Sequence, residues 1–248
     1  MKNLFIGKYL VIALCLLSVQ SLIAKDIYLS VNGVDTNNGL SESGAVATLA
    51  KALSLIEDGD NIRVSGIIDV SKEVSGIEGV AIPQMAFSII GDSPSTSGFT
   101  GNGVTRIFNI DSNDKETQYK NLSFINGAQN QTKGSAVFIQ NSRSVFTNCI
   151  FKNNIAVSCK GTVYLYTPNQ VEFYDCIFTD NQVQQGGAVF SEMRGKLVMD
   201  RCMITNCNLQ SVANSNGGGL QILGIESFVL KNSTVRNCSV AQRGGGIN

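Results

Sequence analysis

In the second half of the chain, apolar and polar positions alternate in short runs such as Val145-Phe146-Thr147-Asn148, Val171-Glu172-Phe173-Tyr174 and Leu197-Val198-Met199-Asp200. Each run is too short for a helix, and its aromatic and β-branched content favours strand. No sustained 3.6-residue apolar period appears, which argues against helical and leucine-rich repeats. The runs keep phase with a repeating element. It reads Leu122-Ser123-Phe124-Ile125-Asn126, then Cys149-Ile150-Phe151-Lys152-Asn153-Asn154 and Cys176-Ile177-Phe178-Thr179-Asp180-Asn181. It closes with Cys202-Met203-Ile204-Thr205-Asn206-Cys207 and Ser233-Thr234-Val235-Arg236-Asn237-Cys238. Phe124, Phe151, Phe178, Ile204 and Val235 are spaced by 27, 27, 26 and 31 residues. A glycine element follows each copy, at Gly134, Gly161, Gly186-Gly187, Gly217-Gly218 and Gly244-Gly245.

Two signals recurring in phase at this period indicate stacked repeats. Three short strands with Asn, Asp and Gly corners in about 27 residues make one coil of a parallel β-helix, an all-β solenoid. Successive coils lie about 4.8 Å apart, so equivalent side chains form ladders along the axis. The pattern predicts an inward apolar ladder of Phe124, Phe151, Phe178, Ile204 and Val235. A second inward ladder of smaller residues holds Leu122, Cys149, Cys176, Cys202 and Ser233. Asn154 and Asn181, continued by Cys207 and Cys238, turn a corner. The glycines are expected to take positive φ at a tight corner and to let coils stack.

Upstream the pattern loosens. A strand at 27–31 precedes a Thr/Asn/Gly-rich loop. Val46, Leu49, Leu53 and Ile56 then share one face of a helix of about three turns, with Gly59 where a helix C-terminus wants one. From Asn61 the coils begin, with strand-like runs at 61–65, 66–70, 80–82, 87–90 and 106–110. The stretch Asp92 to Gly103 reads as a loop bulging from a corner. The expected domains are a cap over 25–60 and about seven coils over 61–248.

Composition agrees with a solenoid: 43% hydrophobic, 15% charged, 25 Gly and only 3 Pro. The first 24 residues have a basic start, an apolar run from Tyr9 to Leu17 and small residues ending near Ala24, the pattern of a secretory signal peptide. The alternative is an uncleaved anchor helix, for which the run is short. Leu14 before Cys15 is not the small residue that a lipoprotein signal wants. Loss of this segment removes Lys2 and Lys8 and leaves 17 basic against 19 acidic residues. That is no footprint for nucleic acid or an anionic membrane, and no further segment reads as a membrane span. The protein is expected to be secreted or displayed on a cell surface or outer membrane.

Six cysteines follow the signal: Cys149, Cys159, Cys176, Cys202, Cys207 and Cys238. Cys149, Cys176 and Cys202 share one repeat position beside Phe or Ile, as stacked buried thiols would. Cys207 with Cys238 is the candidate disulfide, since neighbouring coils bring Cα atoms within bridging range. Without Cys-x-x-Cys or any His, no zinc site is expected, and no cofactor is implied. Asp175 and Asp200 stand before a Cys, where Asn148 and Asn232 also stand, and are expected to be corner residues bonding to backbone. Arg201, Arg236 and Lys231 read as isolated and solvated. No helix and no Lys-Ser/Thr follows the glycines, which excludes a phosphate-binding loop. Asn-x-Ser/Thr sequons occur at Asn121, Asn130, Asn232 and Asn237.

The block Asp26 to Gly66 resembles the N-terminal cap of secreted right-handed parallel β-helix proteins. Phe178-Thr179-Asp180-Asn181 followed by Gly186-Gly187-Ala188-Val189 is similar to the paired Phe-x-x-Asn and Gly-Gly-Ala-Ile motifs of the chlamydial polymorphic outer-membrane proteins. Phe151-Lys152-Asn153-Asn154 matches the first motif, while Gly161-Thr162-Val163 is a degenerate partner. The resemblance implies a secreted or surface-displayed, adhesin-like passenger or stalk that binds a host-surface protein or glycan. No autotransporter barrel is present, and the chain stops inside a motif at Gly246-Ile247-Asn248, so a longer protein is expected. Parallel β-helices also include pectate lyases and polygalacturonases. The missing His, and the sparse acids Glu172, Asp175, Asp180, Glu192, Asp200 and Glu226, supply no catalytic constellation here. The alternative is a polysaccharide-active, lyase-like enzyme with its active residues beyond this stretch.

Overall fold

A computed structural model of the chain describes residues 24–112, 114–128, 133–192, 194–207 and 216–248. The expected signal segment up to residue 23, with Cys15, the Asn130 sequon and the Cys159 side chain, lies outside the described residues. The rest is a right-handed solenoid of six full turns at about 27 residues each, with a seventh begun.

Three parallel sheets form its sides. Sheet A contains Asp26–Ser30, the first half of Asn61–Asp69, Phe87–Gly91, Glu116–Lys120, Arg143–Thr147, Gln170–Tyr174, Lys196–Asp200 and Ser227–Lys231. Sheet B contains the second half of Asn61–Asp69, then Ser97–Thr100, Ser123–Ile125, Ile150–Lys152, Ile177–Thr179, Met203–Thr205 and Thr234–Arg236. Sheet C contains Val80–Ile82, Phe108–Asp111, Val137–Gln140, Val163–Tyr166, Val189–Glu192 and Leu220–Leu223. A short parallel pair, Ile155–Lys160 with Gln182–Gln185, lies between sheets B and C.

The corners explain the polar spelling. The A-to-B corner is made by Asn121, Asn148, Asp175, Arg201 and Asn232, all at φ between 50° and 56°. The corner after sheet B is made by Asn126, Asn153, Asp180, Asn206 and Asn237, at φ between 51° and 56°. Asn and Asp tolerate the left-handed region best after Gly, because their short side chains bond locally. The corner thus falls one residue before Asn154, Asn181, Cys207 and Cys238, which the repeat pattern predicts to turn it. Asn154 and Asn181 are instead fully buried just past it. Asn181 donates to the Phe151 carbonyl at 2.9 Å and accepts from the Asn154 side chain at 3.0 Å, so each tier ties to the next.

The core follows the predicted ladders. Phe124, Phe151 and Phe178 stack at 4.8 and 4.6 Å, and Ile204 continues them, all fully buried. Val235 is half-buried. Sheet A adds a second aromatic ladder, Tyr119, Phe146 and Phe173, stacked at 4.6 and 5.0 Å. The two ladders meet edge to face, as Phe151 does with Phe173 at 6.0 Å and 77°. Burying each such ring is worth roughly 1.5–3 kcal/mol and each ring pair about 0.5–1.5 kcal/mol more. Cys149, Cys176 and Cys202 line the neighbouring ladder as buried free thiols, each hydrogen-bonded to backbone carbonyls.

Several expectations change. The helix, α1, spans only Leu49–Leu53. Thr48 caps its start through the Lys51 amide at 3.1 Å, and Ser54 takes up the Ala50 and Lys51 carbonyls at its end. Val46 is instead bridged to Leu29, and Ile56 lies beyond the helix; both are still buried. Gly59, at φ +93°, belongs to the later turn. The stretch 92–103 is not a bulging loop: Ser97–Thr100 is an interior strand of sheet B, and buried Phe99 packs against Phe124 at 6.2 Å. The runs 61–65 and 66–70 merge into one bent strand, Asn61–Asp69, through Gly66 at φ +88°, and Val70 begins a 3-10 turn.

The corner glycines divide into two roles. Gly134, Gly161, Gly186, Gly217 and Gly244 have positive φ, between 57° and 68°. Gly187 and Gly218 do not, and they serve close approach. A Cβ on Gly187 would sit 2.1 Å from the Gly218 carbonyl oxygen, and one on Gly218 would sit 2.1 Å from that of Gly245. Gly245 is looser, with its nearest atom, the Cys238 carbonyl oxygen, at 3.2 Å.

Candidate functional site

Side chains on the outer face of sheet A stand in rows across turns three to seven. One row is Glu116, Arg143, Gln170, Lys196 and Ser227; another is Lys120, Thr147, Tyr174, Asp200 and Lys231. Between them run Gln118, Val145, Glu172, Val198 and Val229.

At the A-to-B edge lies a charged cluster that differs from expectation. Asp200 is not equivalent to Asp175: it pairs in register with Tyr174, and Arg201 takes the corner before Cys202. Nor are Arg201 and Lys231 isolated. Arg201 bonds Asp175 at 2.7 and 2.9 Å and Asp200 at 2.7 Å, while Lys231 lies 3.4 Å from Asp200. The Asp175 carboxylate therefore bonds a guanidinium and not backbone. Asp175 is held below the ordinary carboxylate range chiefly by the bond from Arg201. Asp200 is held low chiefly by the amide of Asn232 at 3.0 Å, with Arg201 and Lys231 adding to it. Both are anions at neutral pH and are committed to cations. Nearby, Glu172 accepts from the Tyr174 hydroxyl at 2.8 Å, which pushes that phenol up and keeps it protonated. Such a cluster ties turns together and has no free acid or base to offer a substrate.

The C-to-A edge is different. Asn141, Thr167 and Arg194 turn this corner at φ between 45° and 50°, and Gly224 follows at 61°. Asn141, Thr167 and Arg194, with Pro168, Asn169, Gly195 and Glu226, line an open recess of about 400 Å³ across turns four to seven. Thr167 donates to Asn141 at 2.7 Å, and Asn169 donates to the Asn141 carbonyl at 3.3 Å. The backbone is drawn close here: a Cβ on Gly195 would overlap the Pro168 carbonyl. Among the described residues, the Arg194 and Glu226 side chains make no hydrogen bond or ion pair, and Arg143 and Lys196 stand exposed alongside. A second recess, of about 380 Å³, lies beside the cap, where Arg63 is already paired to Asp26 at 3.0 Å.

A third feature escaped the pattern of inward positions. On the outer face of sheet C, Tyr164 stacks on Phe138 at 5.6 Å and meets Phe190 tilted at 5.3 Å, yet all three are at most 5% exposed. Lys133 lies over Phe138 at 4.8 Å and Lys160 over Phe190 at 4.9 Å. Glu192 accepts from the Tyr164 hydroxyl at 2.6 Å and pairs with Lys160 at 3.6 Å. The lysine ammonium groups over these aromatic faces form a cation–π cover on the outside of sheet C.

The candidate disulfide pair, Cys207 and Cys238, is brought to one register position, and both are free thiols. The sequons Asn121, Asn232 and Asn237 occupy left-handed corners. Among the described residues no cluster of three His, Cys, Asp or Glu suits a metal, and no helix is long and apolar enough to cross a membrane.

Residues 106–248, more than half of the chain, match the family described as the right handed beta helix region. The chain belongs to the right-handed β-helix family. No curated protein and no solved structure matches it. The matched span covers turns three to seven, and so includes both edges of sheet A described above and the recess of Arg194 and Glu226.

Proposed function

We propose that this right-handed β-helix is a secreted or surface-exposed binding protein, adhesin-like in the manner of polymorphic outer-membrane protein passengers, that holds a glycan along its C-to-A edge. The observation that carries this reading is the recess of Asn141, Thr167, Asn169, Arg194 and Glu226, open to solvent and contributed turn by turn. Amide, hydroxyl and ionic groups at the coil spacing suit the repeated hydroxyls of an extended sugar chain. Pro168 adds an apolar group to the lining. Similar repeat spelling in surface passengers supports the same direction. The charged cluster at the opposite edge is self-neutralised, which favours binding over chemistry as the work of this stretch.

The test is a glycan array together with pectin and alginate turnover, on residues 25–248, with and without calcium. Binding without turnover, weakened in Arg194→Ala and Asn169→Ala, is expected. Ultraviolet-absorbing unsaturated product would replace the proposal with the lyase reading. Silence in both assays would leave a ligand-free stalk.

A further inference from the structure

The column one residue past the corner after sheet B reads Asn154, Asn181, Cys207, Cys238 in successive turns. The two asparagines each donate to a phenylalanine carbonyl of the preceding turn at 2.9–3.0 Å. Cys207 reaches the equivalent carbonyl, of Phe178, only at 3.8 Å. A thiol is a weak donor, so it replaces the amide poorly as a tie. The replacement occurs twice in succession, which places two thiols one above the other. Register is fixed by Ile204 with Val235 and Thr205 with Arg236, which sets Cys207 and Cys238, two residues on, side by side in adjacent turns. Positions one coil apart, about 4.8 Å, fall inside the Cα range that a disulfide spans. Room is provided by Gly187, whose absent Cβ would stand 2.7 Å from Cys207 Cβ.

The two members are unlike. Cys207 is buried, while Cys238 is half-exposed at the end of the column. The bond from Cys207, with backbone help, draws the Cys238 thiol down to about 7, whereas its partner is pushed up by Cys238 and by burial. An accessible thiol that ionises near neutrality is the reactive kind. The ladder of Cys149, Cys176 and Cys202 lacks that opening. Those three are buried, and Cys176 is pushed well up by burial.

We infer that Cys207 and Cys238 form a redox-closed clamp between the sixth and seventh turns, assembled by thiol–disulfide exchange with a disulfide-carrying oxidant. The Cys238 thiolate attacks one sulfur of the oxidant and releases the other as a thiol, giving a mixed disulfide. The Cys207 thiolate then displaces the remaining oxidant sulfur. Two electrons and two protons pass to the oxidant, which leaves as thiols, and one intramolecular sulfur–sulfur bond is gained. The clamp joins corners 31 residues apart in sequence, over the step where the repeat is longest.

The experiment incubates the full chain in oxidised against reduced glutathione at graded ratios, followed by alkylation, intact mass and peptide mapping. The expected result is a species lighter by two hydrogens with a Cys207–Cys238 cross-link, a higher melting temperature than the reduced form, and Cys149, Cys176 and Cys202 still free. In Cys207→Ser the clamp is lost, but native Cys238 still alkylates faster than the three ladder thiols. A pair that stays reduced at every ratio, or a Cys238 linked to another cysteine such as Cys159, would overturn the inference. Equal alkylation of Cys238 and the ladder thiols in Cys207→Ser would also overturn it, and this readout does not need the disulfide to form.

Discussion

The guanidinium of Arg201, in the sixth turn, grips the carboxylate of Asp175, in the fifth, through two parallel bonds of 2.7 and 2.9 Å. Planar, paired donors make this geometry available to Arg and not to Lys. The corner asparagines reach across in the same way, as Asn148 does to Asn121 at 2.9 Å. An ion pair has thus taken the place of an amide rung.

Its pH dependence follows from sign. Asp175 titrates below its ordinary 3.8 in the folded protein, because Arg201 favours the anion. The folded state therefore gains stability that is fully present above 3.8 and is lost as the pH falls through the lower folded value. Melting temperatures of wild type and Asp175→Asn across pH 7 to 3 test this. The difference is expected to be positive at neutrality and to shrink in acid. Arg201→Lys should lose most of it at all pH values, through the missing fork. A difference independent of pH would contradict the assignment.

Phe151 stacks between Phe124 and Phe178 and meets Phe146 and Phe173 edge on. Phe151→Ala opens a cavity in a closely packed column, where such truncations cost about 3–5 kcal/mol. Phe151→Leu should cost less, since Ile204 already continues the column. Urea midpoints with unchanged slopes are the measurement.

The buried asparagines just past the corner should tolerate a thiol better than a hydrocarbon. Asn181→Leu strands the Phe151 carbonyl and the Asn154 amide, a loss of about 1–3 kcal/mol for each buried group left unpaired. Asn181→Cys, the residue the chain itself places at 207, should cost less. Equal losses in denaturant titrations would sink this account of the column.

Substitution of glycines separates close approach from free space. Gly187→Ala drives a Cβ to 2.1 Å from the Gly218 carbonyl oxygen, whereas Gly245→Ala meets its nearest atom at 3.2 Å. The first should lower the melting temperature strongly and the second little. Similar shifts in the two would contradict the roles assigned.

How much of this was legible in the sequence depends on whether a feature obeys the repeat. The ladder of Phe124, Phe151 and Phe178 was, because coil stacking turns a period of about 27 residues directly into contact. The strand Ser97–Thr100 was hidden: its Ser and Gly positions carry no apolar alternation, and only Phe99 marks it. The helix is shorter than the apolar pattern predicts because Val46 and Ile56 are buried by the coils beneath and not by helical periodicity. Asp200 has the residue type of a corner but not its place, because the register gives that corner to Arg201. The recess was illegible for another reason. Its residues, Asn141, Thr167 and Arg194, share a backbone conformation but no chemical type, so they form a column only once the coils are stacked.

The central claim is that the C-to-A edge of the solenoid is a glycan-binding strip. Hydrogen exchange on residues 25–248, with and without the tightest oligosaccharide from the array, tests it most directly. The account predicts slowed exchange confined to the corners at 141, 167–169, 194–195 and 224–226, and abolished in Arg194→Ala at unchanged melting temperature. Protection elsewhere, at the Asp175–Arg201 edge or beside the cap at Arg63, would contradict it.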